Sequence, residues 1–366
     1  MRQIFAVKSH YQKIKTFYFH YERWLLPATL LAGFVVDYLT FKVVQINIVL
    51  TVLFVYLILV GVAMIFIHFY DEGRISHIFR YVRLFVPLLI EYTFGALLGG
   101  SLIFYWFSGS ISVSWPFIII IAILMISNDV FRRRFLEPIV QISVYFFITF
   151  SFLSLALPFL FNSLSPKLFL LAGGVSLVFI YLYVQFLAKI RDYIKLQKKS
   201  LLAMILTVFF VMNLLYFSNI IPPIPLSLRE AHAYHSINRS GGSYVLRGEA
   251  EAFWDKFMPG QTLHLAQGER AYVYTSIFAP TALNTTILHH WQYYDEKKKD
   301  WVSRDKLSFD ITGGRKEGFR GYSSKSTLTP GNWRVYVETQ RGQVLGRIKF
   351  TVKRVEKSVE LIEVVR

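Results

Sequence analysis

The sequence predicts an α-helical polytopic membrane domain of about seven spans, followed by an all-β antiparallel sandwich of immunoglobulin-like type. Three observations carry this prediction: seven long apolar stretches before residue 222, a proline-rich break at 222–225, and period-two alternation of apolar and polar residues beyond it. Apolar residues make up 54% of the 366 residues, and the mean hydropathy is +0.43. Such a composition is typical of membrane proteins and excludes a wholly soluble chain.

Seven stretches are long enough to be membrane-spanning helices, since a span needs about 20 apolar residues. They lie at 24–43, 46–68, 84–106, 115–130, 138–161, 168–188 and 201–221. Lys and Arg favour cytoplasmic loops. The N-terminal tail and every second loop hold 16 of them, and the alternate loops hold two. This asymmetry predicts a cytoplasmic N-terminus and, after seven crossings, a C-terminal domain on the opposite side of the membrane.

The same patterns divide the chain into four segments. Residues 1–23 form a basic tail whose apolar side chains recur every three or four residues, which predicts an amphipathic helix. This helix lies on the inner leaflet or packs on the protein's own cytoplasmic loops. Residues 24–221 form the helical domain, residues 222–228 a proline-rich linker, and residues 229–366 the extracytoplasmic β-sandwich.

The C-terminal segment contains clear strand and turn patterns. Apolar residues occupy alternate positions over 333–337 and 348–352, which predicts strands with one buried and one solvated face. Arg341-Gly342 lies between these two strands and fits a tight hairpin turn. Pro330-Gly331 fits a turn before the first of them. The pattern therefore predicts antiparallel pairing.

Five short motifs stand out, one at the first span, one at the linker and three in the β segment. They are Gly33-Phe34-Val35-Val36-Asp37, Ile221-Pro222-Pro223-Ile224-Pro225-Leu226-Ser227-Leu228, His289-His290-Trp291, Pro330-Gly331-Asn332-Trp333-Arg334-Val335 and Val344-Leu345-Gly346. With these motifs the chain resembles an uncharacterised bacterial family of multi-spanning inner-membrane proteins whose C-terminal part is a periplasmic domain of unknown function. The resemblance implies a place in the bacterial inner membrane and the two-part architecture, and it supplies no catalytic residues.

Three carboxylates within or beside the spans form a candidate intramembrane polar site: Asp37, Glu91 and Asp129. Ionisable groups inside a span are costly and are functional candidates by default. Asp37 and Glu91 suit a proton or cation relay, or structural carboxylates that bond to neighbouring helices. Asp37 also fits a place at the outer interface, beside Lys42. Asp129 precedes an arginine run and suits a local ion pair at the cytoplasmic boundary.

The third span also carries Gly95, Gly99 and Gly100. Small residues four apart allow two helices to approach closely. We expect a packing role for them.

In the β segment the candidate partner-binding residues are aromatic, imidazole or basic. They are Trp301, His290, Tyr294, Lys297, Lys298 and Lys299. Alternation along a strand sends His289 and His290 to opposite faces, which makes them a poor pair of metal ligands. No metal site and no cofactor are predicted.

Several classes of function are disfavoured. The chain has no cysteine, which excludes disulfides and thiolate chemistry. It also contains no His-Glu-x-x-His helix, no phosphate-binding glycine loop and no Gly-x-Ser-x-Gly elbow. The net charge is +17, but no nucleic-acid motif accompanies it, and the predicted topology places the β segment outside the cell.

The resulting hypothesis is a non-catalytic envelope protein, anchored in the lipid bilayer, whose β-sandwich binds a protein or glycan partner. The alternative is a proton- or cation-coupled transporter of small solutes that uses Asp37 and Glu91. A third hypothesis, an enzyme that acts on lipid-linked envelope precursors, needs clustered polar residues at the outer ends of the spans. The sequence offers few there.

Overall fold

The computed structural model describes the backbone of residues 2–41, 46–108, 111–130, 138–222, 226–250, 260–279, 283–313 and 318–366. The chain forms two compact units, one helical and one rich in β-structure. The helical unit comprises Met1–Phe104, Pro116–Leu157 and Ser165–Phe217, and the β unit comprises Tyr105–Trp115, Pro158–Leu164 and Ser218–Arg366.

The described residues of the N-terminal region form eight α-helices and one short 3-10 helix, His77–Phe79. The α-helices are α1 (Arg2–Phe41), α2 (Ile46–Asp71), α3 (Arg80–Ser108), α4 (Ile111–Val130), α5 (Pro138–Phe161), α6 (Pro166–Ala188), α7 (Asp192–Leu196) and α8 (Lys198–Phe217). Five stretches are long and apolar enough to cross a membrane: Ile48–Asp71, His77–Phe104, Pro138–Phe161, Pro166–Ala188 and Lys198–Phe217. Two shorter apolar helices, Trp24–Val36 and Ser114–Leu124, fall where the first and fourth spans are predicted.

Helix α1 joins the predicted basic tail to the predicted first span in one continuous helix, with Pro27 inside it. Its contact with α3 depends on glycine. A Cβ at Gly95 would overlap the backbone of Leu30, and a Cβ at Gly33 would overlap the backbone of Tyr92. Only glycine allows these two backbones to approach so closely, as the sequence predicts for α3.

Two tyrosines fix α2 against its neighbours in the helical unit. Tyr145 of α5 donates a hydrogen bond to the carbonyl of Leu57 (3.0 Å), and Tyr183 of α6 donates to the carbonyl of Gly61 (2.8 Å). Both hydroxyls are buried. Each therefore has the partner that a polar group needs in an apolar interior.

The described part of the C-terminal region contains eleven strands. They are β1 (Ser227–Tyr234), β2 (Ser236–Ser240), β3 (Ser243–Gly248), β4 (Gln261–Leu265), β5 (Ala271–Phe278), β6 (Asn284–Asp295), β7 (Asp300–Thr312), β8 (Phe319–Lys325), β9 (Gly331–Thr339), β10 (Val344–Arg354) and β11 (Ile362–Val365). They form three sheets, in the orders β1-β5-β8, β4-β10-β9-β6-β7 and β11-β3-β2. The pairs are antiparallel except β4–β10, which is parallel.

The first two sheets contribute apolar side chains to one core. Trp291, Trp333 and Phe350 are its largest fully buried members, and Ala233, Val273 and Ile277 of the first sheet belong to the same cluster. The expected alternation over 333–337 and 348–352 is confirmed. The hairpin between β9 and β10 is also confirmed, and Gly342 there has a φ of 85°.

The sequence underestimates the complexity of the β unit in two respects. The third sheet shares a second, smaller core with the first sheet, formed by Tyr244 and Leu246 with Tyr274 of β5. The strand order also includes the parallel pair β4–β10. Strand β7 also carries apolar residues at alternate positions, Leu307, Phe309 and Ile311, but Leu307 is 36% exposed while Ile311 is buried. The cause is that β7 is the edge strand of its sheet, where part of an apolar face stays uncovered.

Candidate functional site

The five-stranded sheet has one face in the core and one face, here called the outer face, that carries charged and aromatic side chains. Strand pairing sets Gln292 beside Arg334, Arg334 beside Lys349, and Tyr294 beside Trp301. The outer face consists of His290, Gln292, Tyr294, Trp301, Ser303, Lys306, Arg334, Tyr336, Glu338, Arg347 and Lys349.

Arg334 is held at the centre of this face. Its guanidinium carbon lies 4.1 Å from the ring centroid of Trp301 and 5.0 Å from that of Tyr336. Its Nε donates to Oε1 of Gln292 at 2.7 Å. Burial lowers the pKa of Arg334, an effect that the neighbouring Tyr336 opposes and Arg347 reinforces. The aromatic rings and the amide fix the plane of the guanidinium, as such groups do when they stack.

A short polar chain continues from Arg334 to Glu338. The Gln292 amide nitrogen lies 3.2 Å from His290 Nε2, and Ser303 Oγ lies 2.8 Å from the same nitrogen. If Nε2 accepts, Nδ1 carries the proton and faces Glu338 Oε1 at 3.4 Å. Burial lowers the pKa of His290, although the Glu338 carboxylate opposes that shift.

Glu338 belongs to the outer face, but its side chain is largely buried. Its side chain is 9% exposed, and its carboxylate also approaches Lys306 Nζ at 3.5 Å. A carboxylate at this depth needs such cationic and hydrogen-bonding neighbours.

The lysine turn, Lys297 to Lys299, connects β6 to β7 and is exposed. Oδ1 of Asp295 accepts hydrogen bonds from the backbone nitrogens of Lys297 (2.9 Å) and Lys298 (3.3 Å). Lys299 has a φ of 52°. The turn therefore displays three ammonium groups at the end of β6 and β7 where Tyr294 and Trp301 lie.

The core face of β6 carries a closed hydrogen-bond network around His289. Trp291 Nε1 donates to Ser323 Oγ (3.0 Å), and Ser323 Oγ lies 2.8 Å from His289 Nδ1. His289 Nε2 lies 3.0 Å from Thr275 Oγ1, which donates to the carbonyl of Gly321 (3.4 Å). With the His289 proton on Nε2, every member has a partner.

Burial lowers the pKa of His289 to about 3. The side chain is therefore a neutral link between β6 and the strands β5 and β8. This network belongs to the architecture of the core rather than to a site.

A second imidazole–carboxylate cluster lies at the start of β2 and on β4. Glu249 accepts from the backbone nitrogen of His264 (2.6 Å), and its carboxylate lies 2.7 Å from His264 Nδ1 and 2.9 Å from His235 Nε2. Burial alone raises the pKa of Glu249, but these hydrogen bonds outweigh it and the net pKa is lowered. In the part of the chain that the structure describes, no group of three or more His, Cys, Asp or Glu residues is arranged to hold a metal ion.

Of the three predicted intramembrane carboxylates, Glu91 is the one whose side chain is described. It is 6% exposed and lines a polar cavity of about 520 Å³ in the helical unit. Asp37 and Asp129 belong to α1 and α4, and their side chains lie outside the described residues.

The structure brings together three of the predicted partner-binding residues, Trp301, His290 and Tyr294, on one face. Tyr294 and Trp301 have ring centroids 5.2 Å apart. Sequence reasoning missed Arg334 and Glu338, although both occupy polar positions in a strand whose alternation is clear. That signal identifies them as outward-facing, but it does not identify their neighbours.

The comparisons with known proteins bear on this region of the chain. The family described as "Protein of unknown function (DUF2914)" matches residues 284–352, which hold the whole outer face and the lysine turn. No curated protein matches the chain. Among solved structures, Pseudomonas fluorescens alkylpurine DNA glycosylase AlkC bound to DNA containing an abasic site analog is similar at 11% identity and a TM-score of 0.23, over 81% of this chain and 97% of that one. A TM-score this low assigns neither fold nor function. Residues 284–352 are thus similar to the DUF2914 family, whose function is unknown.

Proposed function

We propose that this protein is a non-catalytic, membrane-anchored envelope protein whose β unit binds an anionic glycan through the outer face. In this proposal about seven spans anchor the chain in the bacterial inner membrane, with the N-terminus in the cytoplasm. The β unit is an immunoglobulin-like sandwich on the periplasmic or extracellular side. The five long apolar helices and the unequal distribution of Lys and Arg support this arrangement.

The observation that carries the proposal is the fixed guanidinium of Arg334 between Trp301 and Tyr336. A guanidinium is a planar fork of donors suited to carboxylate and phosphate groups. Because packing already restricts this side chain, little conformational entropy is lost when a partner binds. The hydrogen bond from Arg334 Nε to Gln292 Oε1 further restricts the arginine side chain.

The charge of the surroundings favours an anionic partner. Lys306, Arg347 and Lys349 share the outer face with Arg334, whereas the carboxylate of Glu338 is largely buried there. The lysine turn adds exposed cations at one end. A glycan suits the face because sugar rings pack on aromatic side chains while acidic substituents reach the cations.

The test is binding of the full-length protein, in nanodiscs, to an acidic polysaccharide such as polygalacturonate and to neutral dextran. We expect polygalacturonate to bind, and Arg334→Gln to weaken this binding by at least about tenfold, since a charge-assisted hydrogen bond contributes roughly 1.5–3 kcal/mol. Arg334→Lys keeps the charge but loses the planar fork, so an intermediate loss is expected.

Arg239→Gln is the matched control. Arg239 also lies over a tyrosine ring, that of Tyr244 at 5.9 Å, but it belongs to β2 in the third sheet. Equal losses in Arg334→Gln and Arg239→Gln would mean that net charge alone drives binding, and equal binding of dextran and polygalacturonate would reject an anionic partner. If the outer face crosslinked to a protein and bound no glycan, the partner would be a protein and the glycan proposal would be wrong.

Transport is the second candidate function, and one observation favours it. Glu91, one of the two carboxylates in that hypothesis, lines a polar cavity rather than a dry helix contact. The second carboxylate, Asp37, has a side chain outside the described residues.

A further inference from the structure

The polar cavity of the helical unit has a volume of about 520 Å³ and is lined by several helix ends. Its walls come from α1, the end of α2, the start of α3, the start of α5 and the segment after α6. These are the ends that adjoin the four segments rich in Lys and Arg. The cavity therefore belongs to one end of the helical unit.

Glu91 lies at the inner limit of this cavity on α3. The α3 residues that line it include Arg83, Pro87 and Glu91, which are spaced by four and so share one face of the helix. Eight residues of α-helix span about 12 Å. Glu91 is therefore about that far from Arg83 along α3, within an otherwise apolar stretch.

The same face of α3 is closed immediately beyond Glu91. Gly95 and Gly99 pack against Leu30 and Phe34 of α1 so tightly that a Cβ on either glycine would overlap them. The neighbouring Ala96 is fully buried. Access to Glu91 along this face is consequently open on the Arg83 side and blocked on the Gly95 side.

The charged groups nearer the cavity opening are largely paired with each other. Arg83 holds Asp71 through two hydrogen bonds of 2.8 and 3.0 Å. Arg191 lies 3.6 Å from Glu72 and 3.4 Å from His68 Nδ1. These contacts keep the cations at the cavity wall and leave its volume to solvent or solute.

A carboxyl group in an apolar interior can ionise when water or cations reach it. The cavity has room for many water molecules. The titratable and charged groups that line it with Glu91 are Lys15, Tyr18 and Glu22 from α1, His68 and Asp71 from α2, Arg83 from α3 and Arg191 after α6; α5 contributes Gln141, which is uncharged. Charged side chains thus share a cavity with a carboxyl group that is otherwise surrounded by helices.

We propose that Glu91 is a proton-binding site that exchanges its proton with the aqueous phase on one side only, through this cavity. The side is the one that carries the Lys- and Arg-rich segments. This inference goes beyond glycan binding and does not depend on it. It assigns the helical unit a chemical role of its own, the reversible binding of a proton.

One-sided access is tested with single cysteines, for which the chain is suited because it contains none. Full-length Glu91→Cys in liposomes is treated with a membrane-impermeant maleimide added to one side. Phe94→Cys is the matched control, since Phe94 is 4% exposed on the same helix and does not line the cavity. Lys195→Cys, on α7, marks the side of the Lys- and Arg-rich segments.

We expect Glu91→Cys to react at least about tenfold faster than Phe94→Cys, and from the same side as Lys195→Cys, since the cavity gives water and the reagent access to position 91 and not to position 94. Reaction from the other side, or at the rate of Phe94→Cys, overturns one-sided access.

Proton binding is tested on the unaltered protein with a hydrophobic carbodiimide, which reacts with protonated carboxyl groups. Mass mapping should show that labelling of Glu91 falls by at least about tenfold between roughly pH 5 and pH 9, as the carboxyl group loses its proton. Glu91→Gln should carry no label at this position. Labelling that does not change with pH overturns the proposal that Glu91 binds and releases a proton, and this measurement stands even if the cysteine variant fails to fold.

Discussion

Two buried ionisable side chains, His289 in the β unit and Glu91 in the helical unit, have opposite surroundings. His289 is fully buried, and hydroxyl groups close around both of its ring nitrogens. Glu91 is 6% exposed, and it faces a cavity with charged walls. The difference shows that burial alone does not mark a functional group. What distinguishes the two is whether the surrounding groups leave a path to solvent.

The largest expected effect tests the closed network around His289. Replacing His289 with Ala removes a buried side chain and leaves the hydroxyls of Thr275 and Ser323 without their imidazole partner. We expect the β unit to lose about 3 kcal/mol of stability, from the cavity and the unmade hydrogen bonds together. Native-state hydrogen exchange of peptides from β5, β6 and β8 measures this loss in the full-length protein.

The adjacent His290→Ala provides the control because it changes the same side chain on the opposite face. His290 is 13% exposed by side chain, and its loss should cost about 1 kcal/mol. Equal costs at the two positions would mean that the network around His289 adds nothing beyond ordinary packing.

The second effect tests the closure beyond Glu91. Gly95→Ala places a methyl group against the backbone of Leu30, and overpacking of this kind costs about 1–3 kcal/mol. Gly174→Ala is the control, because no atom lies within 4 Å of a Cβ built there. Thermal unfolding of both variants in the same detergent compares them. Similar stability would show that the α1–α3 contact is loose and that the inner end of the cavity is not closed.

Particular residues show how far the sequence predicts this molecule. Alternation over residues 289–294 correctly assigns His289 and His290 to opposite faces, because the side-chain period of a strand is fixed at two. Alternation contains no information about strand order. For this reason the approach of Trp301 on β7 to Arg334 on β9, with β6 between them, is visible only in the structure.

The helical unit gives the same lesson. Hydropathy identifies Glu91 as an unusual residue in an apolar stretch, and the glycine spacing on α3 predicts close packing. The groups that share its cavity come from helices far apart in the sequence, such as Lys15 on α1 and Gln141 on α5. Sequence periodicity describes each helix singly and cannot bring these groups together.

The smallest effect, taken over one pH unit, concerns the protonation of His289 and tests whether this side chain is sealed from solvent. Its pKa in the folded state is about 3, below the usual value of about 6.5 that an unfolded chain gives. The unfolded state therefore takes up the proton first. The stability contributed by neutral His289 is complete above about pH 6.5 and decreases as the pH falls towards 3, by up to about 1.4 kcal/mol per pH unit.

His289→Gln has no titrating group at this position and isolates the contribution of the imidazole. The measurement is the difference in hydrogen-exchange protection between the full-length protein and His289→Gln, corrected for intrinsic exchange at each pH. We expect the protection of the unaltered protein to fall relative to that of His289→Gln as the pH is lowered from about 7 to 5. A constant difference would require that His289 titrates equally in both states. Solvent would then reach the imidazole in the folded protein, and the contrast with Glu91 would disappear.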